Sequence, residues 1–178
     1  MAEIVYVDVL DRPVGAATKL AAHQPPGRLH RAFSVQLVTA DGRLLLQRRA
    51  DAKYHFGGLW ANTCCGHPAP GDVTSEAATR RTFEELGVRP AGDLVPCGSF
   101  VYEARDDVSG LVEHELDHVY LGRLDAEPRP DPAEVSAVRL VSPDDLAAEL
   151  AAAPRAFVPW LGRVLGLVLP RLPEGSAG

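Results

Sequence analysis

The chain lacks the features that would place it in a membrane, on a secretion route or in a disulfide-stapled scaffold. Its most apolar stretch, Phe157 to Leu169, is interrupted by Arg163 and falls short of the ~20 residues a membrane span needs. That stretch predicts a buried or amphipathic C-terminal helix instead. The first residues carry Glu3, Asp8 and Asp11 with no basic start and apolar run, so no secretory signal is expected and the chain is predicted to be cytoplasmic. Cysteine is scarce: Cys64, Cys65 and Cys97 are too few and odd in number for a disulfide framework. Two of them are neighbours, and a vicinal disulfide is strained, so reduced thiols are expected. No Cys-x-x-Cys pair exists to build a structural zinc site. Lysine is nearly missing, with Lys19 and Lys53 standing against sixteen arginines. The net charge of -6 argues against a nucleic-acid surface while leaving room for a local anion site.

What is present fits one domain. A chain of 178 residues can bury roughly 70% of its unfolded surface without covalent help. Residues 32–39 and 43–48 flank Ala40-Asp41-Gly42, whose Asp-Gly pair signals a β-hairpin. From Arg49 to Asp72 periodicity disappears and Gly, Pro, His and aromatic residues gather; a loop of that length in a compact domain is usually functional. Residues 73–86 read as a helix with Ala77, Ala78, Phe83 and Leu86 as its apolar face. Asp72 or Thr74 can cap its start, and Gly87 suits the left-handed position after its end. Strand patterns follow at 94–105, 111–124 and 135–141, then helices at 143–153 and 156–169. The domain is expected to span 1–170, with 171–178 as a disordered tail. No internal repeat is visible, and the order of elements predicts an α+β layered domain.

The residues that can carry chemistry fall in two clusters. Asn62-Thr63-Cys64-Cys65-Gly66-His67 puts a thiol two residues from an imidazole in a glycine-containing turn, and Pro68 keeps a helix from running through it. Glu113 and Glu115 lie in a strand pattern, so they share a face roughly 6.6 to 7 Å apart. Such a pair suits either a solvated strand face or a divalent cation. His23, His30 and His67 flank the first hairpin in sequence, and their neutral imidazoles with two carboxylates would suit Mn²⁺, Zn²⁺ or Mg²⁺. The cysteines read either as small buried hydrophobes or as one exposed thiol acting as acid or base, its pKa set by the metal and nearby cations. Arg48, Arg49, Lys53, Arg80 and Arg81 are surface cations taken singly, and a phosphate clamp if the fold gathers them.

In this order the pieces resemble the type 1 isopentenyl-diphosphate isomerases, a branch of the Nudix fold. The resemblance spans about His23 to Trp160. It rests on His23, Arg28 to Ser34, Arg48-Arg49-Ala50, Trp60 to Pro68, Glu84-Glu85-Leu86-Gly87, Tyr102, Glu113-His114-Glu115 and Phe157-Val158-Pro159-Trp160. It implies a three-layer α/β/α sandwich around a mixed sheet, and conversion of isopentenyl diphosphate to dimethylallyl diphosphate. It implies one divalent metal among His23, His30, His67, Glu113 and Glu115. Cys65 and Glu115 become the acid–base pair on opposite faces of the five-carbon unit, with their order of action left open, and Tyr102 relays a proton to Glu115. Glu85 would hold a second Mg²⁺ that arrives with the diphosphate, whose oxygens Lys19, Arg49, Lys53 and Arg81 would contact. Trp160 would offer a π face to a carbocation. No flavin, nucleic acid or membrane is implied, and the assembly is expected to be a monomer or weak homodimer.

One departure from the wider family is informative. The general Nudix hydrolase pattern wants a glycine, a glutamate six residues on, Arg-Glu, and then Glu-Glu-x-Gly. Aligned on Glu84-Glu85-Leu86-Gly87, this chain offers Gly66, Asp72 and Arg80-Arg81. Arginine at position 81 replaces a magnesium-binding carboxylate with a phosphate-binding cation, which favours the isomerase over a diphosphate hydrolase. A metal-stabilised binding module without catalysis is the other alternative.

Overall fold

Two long strands organise the chain: β3, His30–Val38, and β8, Val112–Arg123. They run parallel and in register from His30 opposite Glu115 to Val38 opposite Arg123. The computed structural model describes residues 3–172. Before β3 come a hairpin of β1, Glu3–Val7, and β2, Pro13–Thr18, and then the single helical turn α1, Lys19–His23. After it come β4, Leu44–Arg49, and two short strands, β5, Trp60–Ala61, and β6, Cys64–Gly66. Helix α2, Thr74–Leu86, β7, Val95–Arg105, and β9, Val135–Val141, flank β8 in sequence. Helices α3, Pro143–Ala152, and α4, Leu161–Val168, close the chain.

Among the described residues nine strands form one hydrogen-bonded sheet, mixed because β3 and β8 are parallel. Strand alternation assigns its faces. Phe33, Val35, Leu37 and Tyr120 turn one way and pack on Ala77, Ala78 and Leu86 of α2. Val119, Leu121 and Leu46 turn the other way and meet Leu146 of α3 and Leu161, Val164, Leu165 and Val168 of α4. Burial of each Val, Leu or Phe among them contributes about 1.5–3 kcal/mol. The result is the expected three-layer sandwich. Among the described residues no helix is long and apolar enough to cross a membrane.

Several expectations are corrected. The predicted hairpin forms its turn, with Gly42 N–H donating to the Thr39 carbonyl at 3.0 Å. The strands pair only at Val38 and Leu44, because β3 then turns to β6 and β4 to β9. Phe83 is 45% exposed and lies under the Arg89 guanidinium, while Thr82 and Glu85 take the buried positions on α2. Neither Asp72 nor Thr74 caps that helix: its N-cap is Val73, without a side-chain hydrogen bond. Gly87 does adopt the left-handed conformation at its end, with φ 65°. The helix expected from residue 156 begins only at Leu161, after a 3₁₀ turn at Pro154–Ala156 and a bridge from Phe157 to Trp60. Leu169–Arg171 forms another 3₁₀ turn and Leu172 packs on the core, while 173–178 of the expected tail lie outside the described residues.

Candidate active site

The face of β8 that meets α4 changes character along its length. Leu121 and Val119 belong to the core, and the next residues on the same face are Asp117, Glu115 and Glu113, all buried. The register supplies their neighbours: His30 on β3 and Tyr102 on β7 stand on either side of Glu115. On the far side of β3, Ser34 pairs with Cys65 and Val35 with Cys64. Adjacent strand residues point to opposite faces, so Cys64 enters the core under α2 and Cys65 turns to the carboxylates. Gly66 lets β6 press against β3, because a Cβ there would lie 2.7 Å from the Phe33 ring.

Five side chains offer ligand atoms that all lie within 4.8 Å of one another: His23, His30, His67, Glu113 and Glu115. The cap from Thr18 to Ala21 N–H starts α1, and His23 is that helix's last residue. Its Nδ1 donates to the Lys19 carbonyl at 2.6 Å, and His30 Nδ1 donates to the Arg28 carbonyl at 2.7 Å. A carbonyl only accepts, so both rings carry their proton on Nδ1 and turn a bare Nε2 inward. His23 Nε2 then faces Glu113 Oε2 at 2.8 Å, acceptor against acceptor, and the buried His30 Nε2 has no hydrogen-bond partner. His67 Nε2 lies 2.7 Å from Glu115 Oε1. Lone pairs converging without donors fit a cation, and three imidazoles with two carboxylates can hold a divalent ion.

The same contacts set the charges. Burial raises the Glu113 carboxyl, but the imidazoles of His23 and His55 against it outweigh burial and hold the group well below the usual carboxylate range. Glu115 is also lowered: burial and the charge of Glu113 raise it, and the neighbouring imidazoles of His30 and His67 prevail. Burial lowers His23, yet the Glu113 carboxylate beside it leaves it raised. Burial takes His67 well below its ordinary value.

Cys65 sits under Trp160, whose indole Nε1 donates to its sulfur at 3.4 Å. Its thiol reaches Asn62 Oδ1 at 3.2 Å and lies 3.6 Å from Ser34 Oγ. Ser34 Oγ in turn donates to Asp117 Oδ2 at 2.7 Å. The expectation of an exposed thiol tuned by cations is corrected, because the side chain is half-buried and burial pushes its pKa up to about 12. The sulfur keeps its proton at neutral pH. Tyr102 donates to Glu115 Oε2 at 2.6 Å, and its ring lies 5.7 Å from that of Trp160.

One cavity of about 380 Å³ collects the remaining predicted residues. Cys65, His67, Glu85, Tyr102, Glu113, Glu115 and Trp160 line it, with the cations Lys19, Arg49, Lys53 and Arg81. His23 and His30 lie fully buried behind the carboxylates. Arg49 lines the cavity, and its Nε and Nη2 donate to the carbonyls of Phe56 and His55 at 3.0 and 3.2 Å. Lys53 and Arg81 are both paired with Glu134, and Arg81 Nη2 also meets Glu85 Oε1 at 3.0 Å. Gln47 Nε2 donates to Glu85 Oε2 at 3.0 Å, which keeps this buried carboxylate in place. Sequence reasoning missed His55, Ser34, Asp117 and Glu134. Only their place, beside recognisable residues or in the aperiodic loop, could have drawn attention to them.

The NUDIX domain family model matches residues 28–161. The isopentenyl-diphosphate Delta-isomerase of Nocardia farcinica is 55% identical over 162 residues, 91% of each chain. That of Streptomyces coelicolor is 49% identical over 176 residues, 97% of this chain and 88% of the relative. Among solved structures, DR0079 from Deinococcus radiodurans superposes with a TM-score of 0.75 at 25% identity, covering 93% of this chain and 98% of that one. The MutT protein of Methanosarcina mazei gives a TM-score of 0.61 at 20% identity, over 80% and 94%. A Nudix sandwich whose relatives over nearly its whole length are isomerases places the chain in that family: it belongs to the isopentenyl-diphosphate Delta-isomerases of the Nudix fold.

Proposed function

We propose that this protein interconverts isopentenyl diphosphate and dimethylallyl diphosphate by protonating one end of the allylic unit and deprotonating the other. The observation that carries the reading is the pairing of a protonated thiol with an ionised carboxylate on one cavity. Cys65 is pushed up to about 12, Glu115 is held low, and a cluster of cations lines the same cavity. An unactivated alkene needs an acid that has kept its proton and a base that has lost one, with no nucleophilic water between them.

In this reading Cys65 Sγ holds the proton delivered to the alkene and Glu115 removes one from the opposite face of the carbon chain. The reverse reaction exchanges their roles. Tyr102 fixes the Glu115 carboxylate through its hydroxyl and relays its proton. Trp160 orients the thiol through Nε1 and turns an aromatic face to the developing tertiary cation, an interaction worth about 2 kcal/mol in a dry pocket. Phe56, edge-on to Trp160 at 5.3 Å, helps to keep water out. Lys19, Arg49, Lys53 and Arg81 bind the diphosphate oxygens, and Arg49 also shapes the loop that carries Lys53.

His23, His30, His67, Glu113 and Glu115 would hold Mn²⁺, Mg²⁺ or Zn²⁺, and Glu85 a second Mg²⁺ that enters with the substrate. When bound, the first ion supplies positive charge that keeps both glutamates ionised and fixed. The deciding experiment is incubation with isopentenyl diphosphate and Mg²⁺ in D₂O, with and without chelator, followed by proton NMR. Deuterium entering the five-carbon unit with the diphosphate intact is the expected result. Release of phosphate or pyrophosphate without double-bond migration would make the protein a hydrolase, and binding without turnover would make it a non-catalytic module.

A further inference from the structure

Each of the two glutamates divides its carboxylate between the histidine cluster and one further donor. Glu115 turns Oε1 to His67 at 2.7 Å and His30 at 3.5 Å, and its Oε2 accepts from the Tyr102 hydroxyl. Glu113 turns Oε2 to His23 at 2.8 Å and His30 at 4.0 Å. Its Oε1 is held by His55 Nε2. His55 therefore stands to Glu113 as Tyr102 stands to Glu115.

His55 is not one of the five residues whose ligand atoms converge. It is nevertheless 3% exposed, with its ring centroid 4.3 Å from that of Tyr54 and 5.6 Å from that of Phe56. Its Nδ1 has no partner, so nothing competes with Glu113 for the ring's proton, which belongs on Nε2. The backbone around it is fixed as well. Arg49 holds the carbonyls of His55 and Phe56, and Phe56 is kept in the left-handed region at φ 49°, where a non-glycine residue rarely stays without such support.

We propose that His55 is a positioning residue of the metal centre, occupying Oε1 of Glu113 so that Oε2 alone is presented to the ion. A glutamate free at both oxygens can rotate or chelate through both, and the site loses its fixed shape. Outer partners of this kind typically contribute ten- to hundredfold in metal affinity. The inference rests on the metal site proposed above and adds a residue that supplies no ligand atom.

The test is Mn²⁺ titrated into chelator-treated full-length protein, with free ion read by electron paramagnetic resonance. His55→Phe keeps the ring and loses the donor, and should bind roughly ten- to hundredfold more weakly. His55→Gln places an amide N–H near the position of Nε2, and should stay within about threefold of the parent. His55→Asn is too short to reach Glu113 and should match the phenylalanine variant. Circular dichroism checks folding, and if His55→Phe does not fold, the Gln and Asn pair decides. X-ray absorption at the manganese edge should give the same imidazole number for parent and His55→Gln. A parent that binds no Mn²⁺ removes the metal site itself. A parent that binds, with His55→Asn equal to it, overturns the role of His55 alone, and loss of one imidazole in His55→Gln would make His55 a ligand instead.

Discussion

Tyr102 Oη donates a 2.6 Å hydrogen bond to Glu115 Oε2 across the β7–β8 register, where the two residues are directly paired. A hydrogen bond to a charged group is worth about 1.5–3 kcal/mol. Tyr102→Phe keeps the buried ring and deletes only the donor. Turnover should therefore fall roughly ten- to hundredfold with an unchanged fold. Steady-state kinetics with the thermal midpoint check this, and a loss of stability without a loss of rate would reduce Tyr102 to packing.

Cys64 and Cys65 are neighbours on β6 that face opposite layers, one into the α2 core and the other beneath Trp160. Removing a positioned acid typically costs ~10²- to 10⁴-fold in rate, so Cys65→Ala should lose at least that much turnover and little stability. Cys64→Ala should lose less than about tenfold and act through the cavity it leaves. Turnover and thermal midpoint, measured on both under the same metal conditions, separate the two. Comparable activity in the Cys65 variant, or a larger loss in the Cys64 variant, would reverse the assignment.

Much of this arrangement was legible in the chain, and what escaped has identifiable physical causes. β8 and β9 were readable because their runs are long enough for the alternation of side chains to register. β1 and β2 were not: β2 is Pro-Val-Gly-Ala-Ala-Thr, an exposed strand with almost no apolar signal. Strands of two and three residues, such as β5 and β6, are below any periodicity. Phe83 is apolar yet exposed, and hydrophobicity by itself does not say which face of a helix is buried. The inner face of α2 points partly at the cavity, so it carries Glu85 and a self-satisfied Thr82, whose hydroxyl bonds the Ala78 carbonyl at 2.8 Å. The parallel pairing of β3 with β8, which sets His30 beside Glu115, joins residues 85 apart, as their numbers show, and no local pattern encodes it.

The converging lone pairs of His23 and His30 imply that metal and fold support each other. A ligand that binds only the folded state at a hundred times its Kd adds about 2.7 kcal/mol of stability. Chelator should therefore lower the thermal midpoint of the parent and abolish turnover, and returned Mn²⁺ should restore both. In His67→Ala and Glu113→Ala the midpoint should respond weakly to either treatment, with metal content reduced. Unchanged occupancy in both variants, by elemental analysis, would show that these side chains are not ligands.

Glu134 bridges Lys53 and Arg81, two cations that line the cavity. Burial raises its carboxyl, but hydrogen bonds from Lys53 and Arg81 outweigh burial and bring it to about 2. An unfolded glutamate titrates near ~4.3. The folded value is the lower one, so the unfolded chain takes up the proton first as pH falls. The stabilisation is present in full above the unfolded value and is lost between about pH 4.3 and about pH 2. The side chain is partly open to solvent, so salt should weaken the effect. Thermal midpoints of the parent should fall more steeply than those of Glu134→Gln over that window, and the two curves should run parallel above about pH 6. The histidine cluster is common to both proteins, so acid loss of its metal shifts both curves alike and the difference between them belongs to Glu134. Superimposable slopes below about pH 4 would mean that Glu134 does not hold these cations in solution.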